Sequence, residues 1–342
     1  MGYVSFVKKM AYFCSQNKHI MHIQSLHIQN FRIFEDFRLE GLKRVNLFAG
    51  KNNTGKTAIL EALRLYMAPS EDSVYISILA NRGQYSGNIN SDWSSFFNRR
   101  TTGKTGDTFF RINGRLEFQR KEQPNIPSPQ FHLFWDGTEY PYFMSNANGK
   151  SANTNPQDVA VFLPFGGEKA FPLFKFWDKI ALTPLEDDVV SILRDTILPD
   201  IVRFDINQER TLVRLKSEPN PIPLKNLGDG AQRMLQMAIA LVSARDNILL
   251  IDEIESGLHY TVIEKLWQII FEYAPKWNIQ VFATTHSYDT VKTFTYLLEE
   301  DAQKDVGAFF RLQPVRGGDQ IVAVPLTFEE LELSISSNLE PR

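Results

Sequence analysis

The chain has 342 residues, 43% hydrophobic and 23% charged. These proportions allow a sizeable core and exclude wholesale disorder or a low-complexity architecture. The single cysteine, Cys14, excludes an intramolecular disulfide framework and a multi-cysteine metal site. The net charge of −3 covers an asymmetry: residues 1–120 hold 17 Lys+Arg against 9 Asp+Glu, and the remainder holds 20 against 31.

Residues 1–20 read as an N-terminal extension, either genuine or preceding the true start at Met21. Lys8 and Lys9 interrupt their apolar patches and no small-residue cleavage site follows, so no signal peptide is expected. No stretch approaches a transmembrane span, and a cytoplasmic location away from the membrane is expected. Residues 21–342 are expected to form one composite α/β domain in four parts: 21–105, 106–180, 181–245 and 246–342.

Within the first part, residues 22–31 alternate as a strand does, and the apolar run 45–49 ends at Gly50. Ile59, Leu60, Leu63 and Met67 then recur at helical spacing, with Pro69 as a stop. Arg99, Arg100, Lys104, Arg111, Arg115, Arg120 and Lys121 make the densest basic stretch, interleaved with Phe109, Phe110 and Phe118. Such a stretch could track a nucleic-acid backbone, although a solvated strand face explains it more simply.

The part 106–180 is expected as a β-rich, antiparallel insertion, because short aromatic runs are separated by Asn-Gly and Asp-Gly turns over 107–165. Residues 146–157, rich in Asn, Ser and Gly, read as a mobile loop. Residues 185–198 read as a helix with acidic residues in its first turn. The last part alternates strand 248–251, helix 259–273, strand 280–283 and helix 288–298, which implies a mostly parallel sheet with covering helices.

Gly50-Lys51-Asn52-Asn53-Thr54-Gly55-Lys56-Thr57, followed by Ala58, satisfies the phosphate-loop pattern. Its glycines let backbone N–H groups turn toward phosphate oxygens, Lys56 would reach the β and γ phosphates, and the Thr57 hydroxyl would ligate Mg²⁺. The loop lies between a strand and a helix, whose positive end points at the same anion.

Ile248-Leu249-Leu250-Ile251-Asp252-Glu253 is an apolar strand ending in two carboxylates at the edge where ligands collect in α/β sheets. Asp252 is expected to hold Mg²⁺ through water, with Glu253 as general base for the attacking water. Phe282-Ala283-Thr284-Thr285-His286-Ser287 brings His286 to the same edge as a candidate γ-phosphate sensor rather than a structural histidine. Leu227-Gly228-Asp229-Gly230-Ala231-Gln232-Arg233 precedes an apolar helical run, so Gly228, Asp229 and Gly230 lie at a helix tip. Alone, that is a cap; beside the other motifs it is a set of donors that a second molecule could offer to the γ-phosphate.

These four motifs, in this order, resemble the ABC ATPase heads of the RecF, structural-maintenance-of-chromosomes (SMC) and overcoming-lysogenization-defect (OLD) groups. The opening Leu26-His27-Ile28-Gln29-Asn30-Phe31-Arg32-Ile33-Phe34 is similar to their first strand motif. Asp252-Glu253-Ile254-Glu255-Ser256-Gly257-Leu258-His259 is similar to the Walker B and D-loop of the OLD group. The resemblance spans residue 21 to just past His286. It implies a P-loop fold with an antiparallel β lobe and a helical signature lobe, acting as a homodimer or higher homo-oligomer with ATP between each phosphate loop and the partner's 227–233 signature.

The signature departs from the transporter form, His259 stands where transporters have Asp, and no Q-loop glutamine is assigned. Only 56 residues follow His286, too few for the Toprim nuclease domain of many OLD relatives. The expectation is an ATPase switch for a separate effector protein, a nuclease or toxin, in antiphage defence or DNA repair. The alternatives are a non-hydrolysing nucleotide-binding scaffold and, less favoured, a transporter ATPase.

Overall fold

The computed structural model describes residues 22–68, 72–86, 93–97, 108–121, 130–140, 160–165, 171–315 and 317–337. Arg99, Arg100, Lys104 and the segment 146–157 lie outside them. The chain divides into two compact units that interleave along the sequence: Met1–Leu42, Gly50–Ala160 and Arg311–Val324 form one, and Lys43–Ala49, Val161–Phe310 and Pro325–Arg342 the other.

The first unit contains β1 (Ser25–Phe31) and β2 (Phe34–Glu40), an antiparallel pair, while β3 (Val45–Gly50) leads into its phosphate-loop segment. Next come β4 (Thr108–Ile112), β5 (Leu116–Lys121), β6 (Gln130–Trp135) and β7 (Thr138–Tyr140), giving an antiparallel sheet in the order β2-β1-β4-β5-β6-β7. Alternation dictates its core: Phe31, Phe110 and Phe118 point to one face and are fully buried, with Phe96 and Tyr75 packed among them. Each contributes about 1.5–3 kcal/mol by leaving water, which makes this aromatic cluster the unit's anchor. Arg111 is paired with Glu117 and Arg115 with Asp136, so carboxylates already neutralise two of the cations in the expected basic stretch.

In the second unit, β8 (Val161–Leu163) is followed by helices Leu173–Ile180 and Pro184–Thr196. Then come β9 (Ile201–Ile206), β10 (Thr211–Leu215) and β11 (Ile222–Pro223), which form a three-stranded antiparallel sheet. Helix Asp229–Ser243 precedes β12 (Ile248–Ile251), and helix Tyr260–Lys276 precedes β13 (Gln280–Thr285); β14 (Gly307–Pro314) and β15 (Ile321–Leu326) are divided between the two units, and helix Phe328–Ser336 follows in the second. The main sheet has the order β15-β14-β3-β13-β12-β8, with β3, β13, β12 and β8 mutually parallel. These central strands are buried on both faces, as the uninterrupted apolar runs Ile248–Ile251 and Val45–Gly50 require. The helix Pro184–Thr196 starts where its sequence dictates: Thr183 accepts from the Leu185 amide, Pro184 needs no donor partner, and Glu186 and Asp187 face the positive end.

Two features differ from the sequence reading. Strand β8, within the expected antiparallel insertion 106–180, pairs parallel with the Asp252 strand instead. Three buried-pattern residues are too few to carry a period, so its apolar Val-Phe-Leu was indistinguishable from the neighbouring hairpins. The small β9–β11 sheet also interrupts the part expected to be helical, because its strands are short and only partly buried.

Candidate active site

In the first unit, the turn between strand β3 and helix Lys56–Met67 is shaped by its glycines. A Cβ on Gly50 would lie 2.7 Å from both the Leu312 carbonyl oxygen and Thr54 Oγ1. Gly55 sits at φ +91°, and a Cβ there would meet Phe34 Cζ at 2.6 Å and Ile33 Cδ1 at 2.8 Å. Asn53 also takes a left-handed conformation, at φ 64°. The result is a tight backbone ring rather than an ordinary turn. Thr54 Oγ1 donates to the Lys51 carbonyl at 2.8 Å, and Lys56 Nζ, on a residue only 8% exposed, donates to the carbonyls of Gly50 at 2.8 Å and Lys51 at 3.0 Å. No side chain caps the N-terminus of helix Lys56–Met67 and no acidic residue lies in its first turn. A ring of this kind, with a resident ammonium and an uncapped helix dipole behind it, fits an anion and specifically a phosphate chain.

That helix is fastened from behind. Glu61, 3% exposed, accepts from Arg32 Nε at 3.1 Å and from Arg82 Nε at 2.6 Å. Arg32 also donates to Gln84 and to the Ser95 carbonyl, and its guanidinium lies 4.6 Å from the Phe96 ring centre. Burial pushes the Arg32 pKa down to about 10 against the opposing pull of Glu61. The opening Phe-Arg-Ile-Phe motif therefore supports the phosphate loop in two ways. Arg32 neutralises a carboxylate on the helix behind it, and Ile33 and Phe34 crowd Gly55.

In the second unit, register places four strand ends at one sheet edge: Ile251 lies beside Ala283 and Leu163, and Thr285 beside Ala49. Asp252, Pro164 and His286 are the next residues on their strands, and Gly50 follows Ala49. The buried Asp252 accepts from Thr284 Oγ1 at 2.7 Å, and the same Oγ1 accepts from the Glu253 amide at 2.8 Å. Glu253 is held at φ 48°, which costs a non-glycine residue roughly 1 kcal/mol. Its neighbour Ile254 donates to the Thr284 carbonyl at 3.0 Å, completing the brace.

His286 lies beside these carboxylates. Its amide donates to Glu255 Oε1 at 3.0 Å, and its Nδ1 stands 3.2 Å from Glu255 Oε1 and 3.7 Å from Glu253 Oε1. Helix Asp229–Ser243 starts after Gly228 at φ +86°, with no side-chain cap. Gly228 and Asp229 are exposed, while Gly230 is half-buried, and a Cβ on it would lie 3.5 Å from the Gly257 carbonyl oxygen. From the same helix, buried Arg233 donates to the carbonyls of Pro164 at 3.1 Å and Asp252 at 3.3 Å. Burial pushes its pKa down to about 10, while the charges of Asp252, Glu255 and Glu253 act to raise it.

The structure thus brings Asp252, Glu253 and His286 together in one unit, and gathers Gly50, Lys51, Asn52, Asn53, Thr54, Gly55, Lys56, Thr57 and Ala58 at a strand-to-helix junction in the other. Thr284, Glu255 and Arg233 received no individual role from the sequence. Each carried a faint signal: a threonine closing an apolar strand, a third acid after Asp-Glu, and a cation on an otherwise apolar helix.

Two family models match: residues 21–123 fit one described as an AAA ATPase domain, and residues 146–291 fit one described as an AAA domain, a candidate AbiEii toxin of a Type IV TA system. A Helicobacter pylori protein described as ATP/GTP phosphatase is 23% identical over 362 aligned positions, 91% of this chain and 97% of its own length. The DNA replication and repair protein RecF of Listeria welshimeri is 47% identical over 51 residues, 15% of this chain and 14% of RecF. Among solved structures, an SMC head bound to the C-terminal winged-helix domain of ScpA superposes with a TM-score of 0.55 at 10% identity, covering 91% of this chain and 99% of that one. That likeness establishes the fold. Among the described residues, no helix is long and apolar enough to cross a membrane. Two AAA ATPase-domain models thus match separate stretches of the chain, and its fold is that of an SMC head.

Proposed function

We propose that the protein binds and hydrolyses ATP, and that a second copy completes each site. The observation that carries this reading is the Thr284 brace, which holds Asp252 and Glu253 at the edge of the parallel sheet with His286 alongside. A residue held in a strained backbone conformation, with its amide tied to Thr284, is costly for a purely structural turn and suits the aiming of a general base.

Lys56 and the loop amides bind the β and γ phosphates, and Glu253 accepts a proton from the attacking water. His286 orients about the γ-phosphate. The Thr57 hydroxyl and the Asp252 carboxylate are hard oxygen donors of the type magnesium takes. Among the described residues no cluster of three or more His, Cys, Asp or Glu could hold a metal alone, so the ion would need phosphate oxygens as well. When bound, magnesium supplies neutralisation of the phosphate charge.

The uncapped tip, exposed at Gly228 and Asp229 and half-buried at Gly230, supports a contact in trans, because a helix N-terminus without a side-chain cap favours an anion. SMC heads are similar in fold, and one is solved with ScpA bound, which supports a nucleotide-controlled switch acting on a separate effector. Its setting in this reading is antiphage defence or DNA repair, which the Type IV TA description of one matching family model and the short RecF likeness support.

The test is phosphate release and nucleotide binding by wild type, Lys56→Ala and Glu253→Gln. Wild type turns over, Lys56→Ala loses binding, and Glu253→Gln binds ATP but turns over slowly and accumulates as dimer. Equal phosphate release by wild type and Glu253→Gln would instead establish a non-hydrolysing scaffold.

A further inference from the structure

Sensor histidines need a fixed ring. Here the His286 side chain is 46% exposed, so packing alone does not fix its rotamer. Beside it stands Glu255, whose side chain is only 11% exposed. Glu255 Oε1 accepts from the His286 amide at 3.0 Å and lies 3.2 Å from Nδ1, closer than Glu253 Oε1 at 3.7 Å. One oxygen thus bonds the backbone amide and stands beside the ring nitrogen of the same residue. The other oxygen, Oε2, is buried without a hydrogen-bond partner. Leaving it so costs about 1–3 kcal/mol, and a turn selected for stability alone would discard such a group. Electrostatics offset part of that cost: the guanidinium of Arg233 is buried nearby, its Nε also lacks a hydrogen-bond partner, and the Glu255 charge acts on it.

We propose that Glu255 is a positioning residue, which fixes the orientation and tautomer of His286 for the hydrolytic step. A carboxylate at Nδ1 keeps the proton on that nitrogen, and this in turn sets the hydrogen-bonding character of Nε2. Glu255 acts through His286 and touches no nucleotide. The inference rests on the ATPase reading above for its effect on turnover, whereas its structural core does not.

The experiment therefore has two arms on the full chain. In the kinetic arm, Glu255→Ala and Glu255→Gln are measured alone and combined with His286→Ala. Glu255→Ala is expected to lower kcat about 10- to 100-fold with KM for ATP within about twofold, because ring misplacement harms the reacting geometry rather than binding. The Gln variant, which can still accept from the amide, loses less. In the His286→Ala background, either substitution adds less than about twofold. Equal cost in both backgrounds, or a loss residing in KM, overturns the proposal.

In the second arm, ¹⁵N NMR of the histidine ring nitrogens, with the His286 signals assigned by their loss in His286→Ala, should report Nδ1–H in wild type. They should shift toward Nε2–H in Glu255→Ala, or in Glu255→Leu, which likewise offers no acceptor, should the alanine variant fail to fold. An unchanged tautomer sinks the positioning role even if the wild type hydrolyses ATP. A shifted tautomer in a protein without ATPase activity upholds the contact and refutes the proposed function instead.

Discussion

Thr284 and Asp252 are joined by a 2.7 Å hydrogen bond in which the hydroxyl donates to Oδ1, and the same hydroxyl accepts from the Glu253 amide at 2.8 Å. One side chain on β13 therefore ties together the two acids that end β12. Replacing it with valine keeps the shape and removes both bonds. Thr284→Val is expected to remove the bond that Thr284 accepts from the Glu253 amide, lower stability by about 1–3 kcal/mol and lower turnover by about 10- to 100-fold. Denaturant titration and phosphate release check the two effects separately, and a variant with wild-type kcat would show that the brace is not needed for hydrolysis.

Gly55 allows no side chain. Its φ of +91° disfavours any Cβ, and Phe34 would stand 2.6 Å from one. Gly55→Ala is expected to force the β1–β2 turn away from the loop, costing roughly 2–4 kcal/mol from strain and overpacking together. Nucleotide affinity should fall with it, because the loop amides lose their common centre. Isothermal titration with ATP measures that loss; affinity equal to wild type would mean the ring tolerates opening.

Much of this site was legible in the sequence, for physical reasons. The phosphate loop is contiguous, and Lys56 bonds carbonyls of the same loop, so its pattern is readable in one stretch. The Ile248–Ile251 run and the residues after it were equally readable, because a doubly buried parallel strand must be apolar throughout and must end in its functional residues. Strand β8 was not legible, since three residues carry no period. Nor were the roles of Arg233, Thr284 and Glu255: each acts on a residue far along the chain, as Arg233 does on the Asp252 carbonyl and Glu255 on the His286 amide. Only the fold creates those pairs.

The helix tip offers a separable test of assembly. A Cβ on Gly230 would meet the Gly257 carbonyl at 3.5 Å, ordinary contact distance, so a side chain there need not disturb the subunit itself. Gly230→Arg is expected to retain ATP binding by the monomer while abolishing hydrolysis and ATP-dependent dimers, because the bulky cation occupies the surface where the partner's phosphates would dock. Light scattering with and without ATP reads the outcome. Normal turnover by this variant would refute completion of the site in trans.

Glu253 holds a conformation that its side chain does not favour. At φ 48°, asparagine is tolerated several-fold better than glutamate, and the amide bond to Thr284 does not depend on the side chain. Glu253→Asn is therefore expected to abolish hydrolysis by removing the general base while raising stability by about 0.5–1 kcal/mol, or about 1–3 °C in Tm. The two effects have one origin, since the strain is maintained to aim a carboxylate. A thermal melt paired with a phosphate-release assay on the same preparation decides it. Should the asparagine variant melt well below wild type, the left-handed turn stores no strain, and Glu253 would owe its position to contacts of its carboxylate rather than to the brace around its backbone.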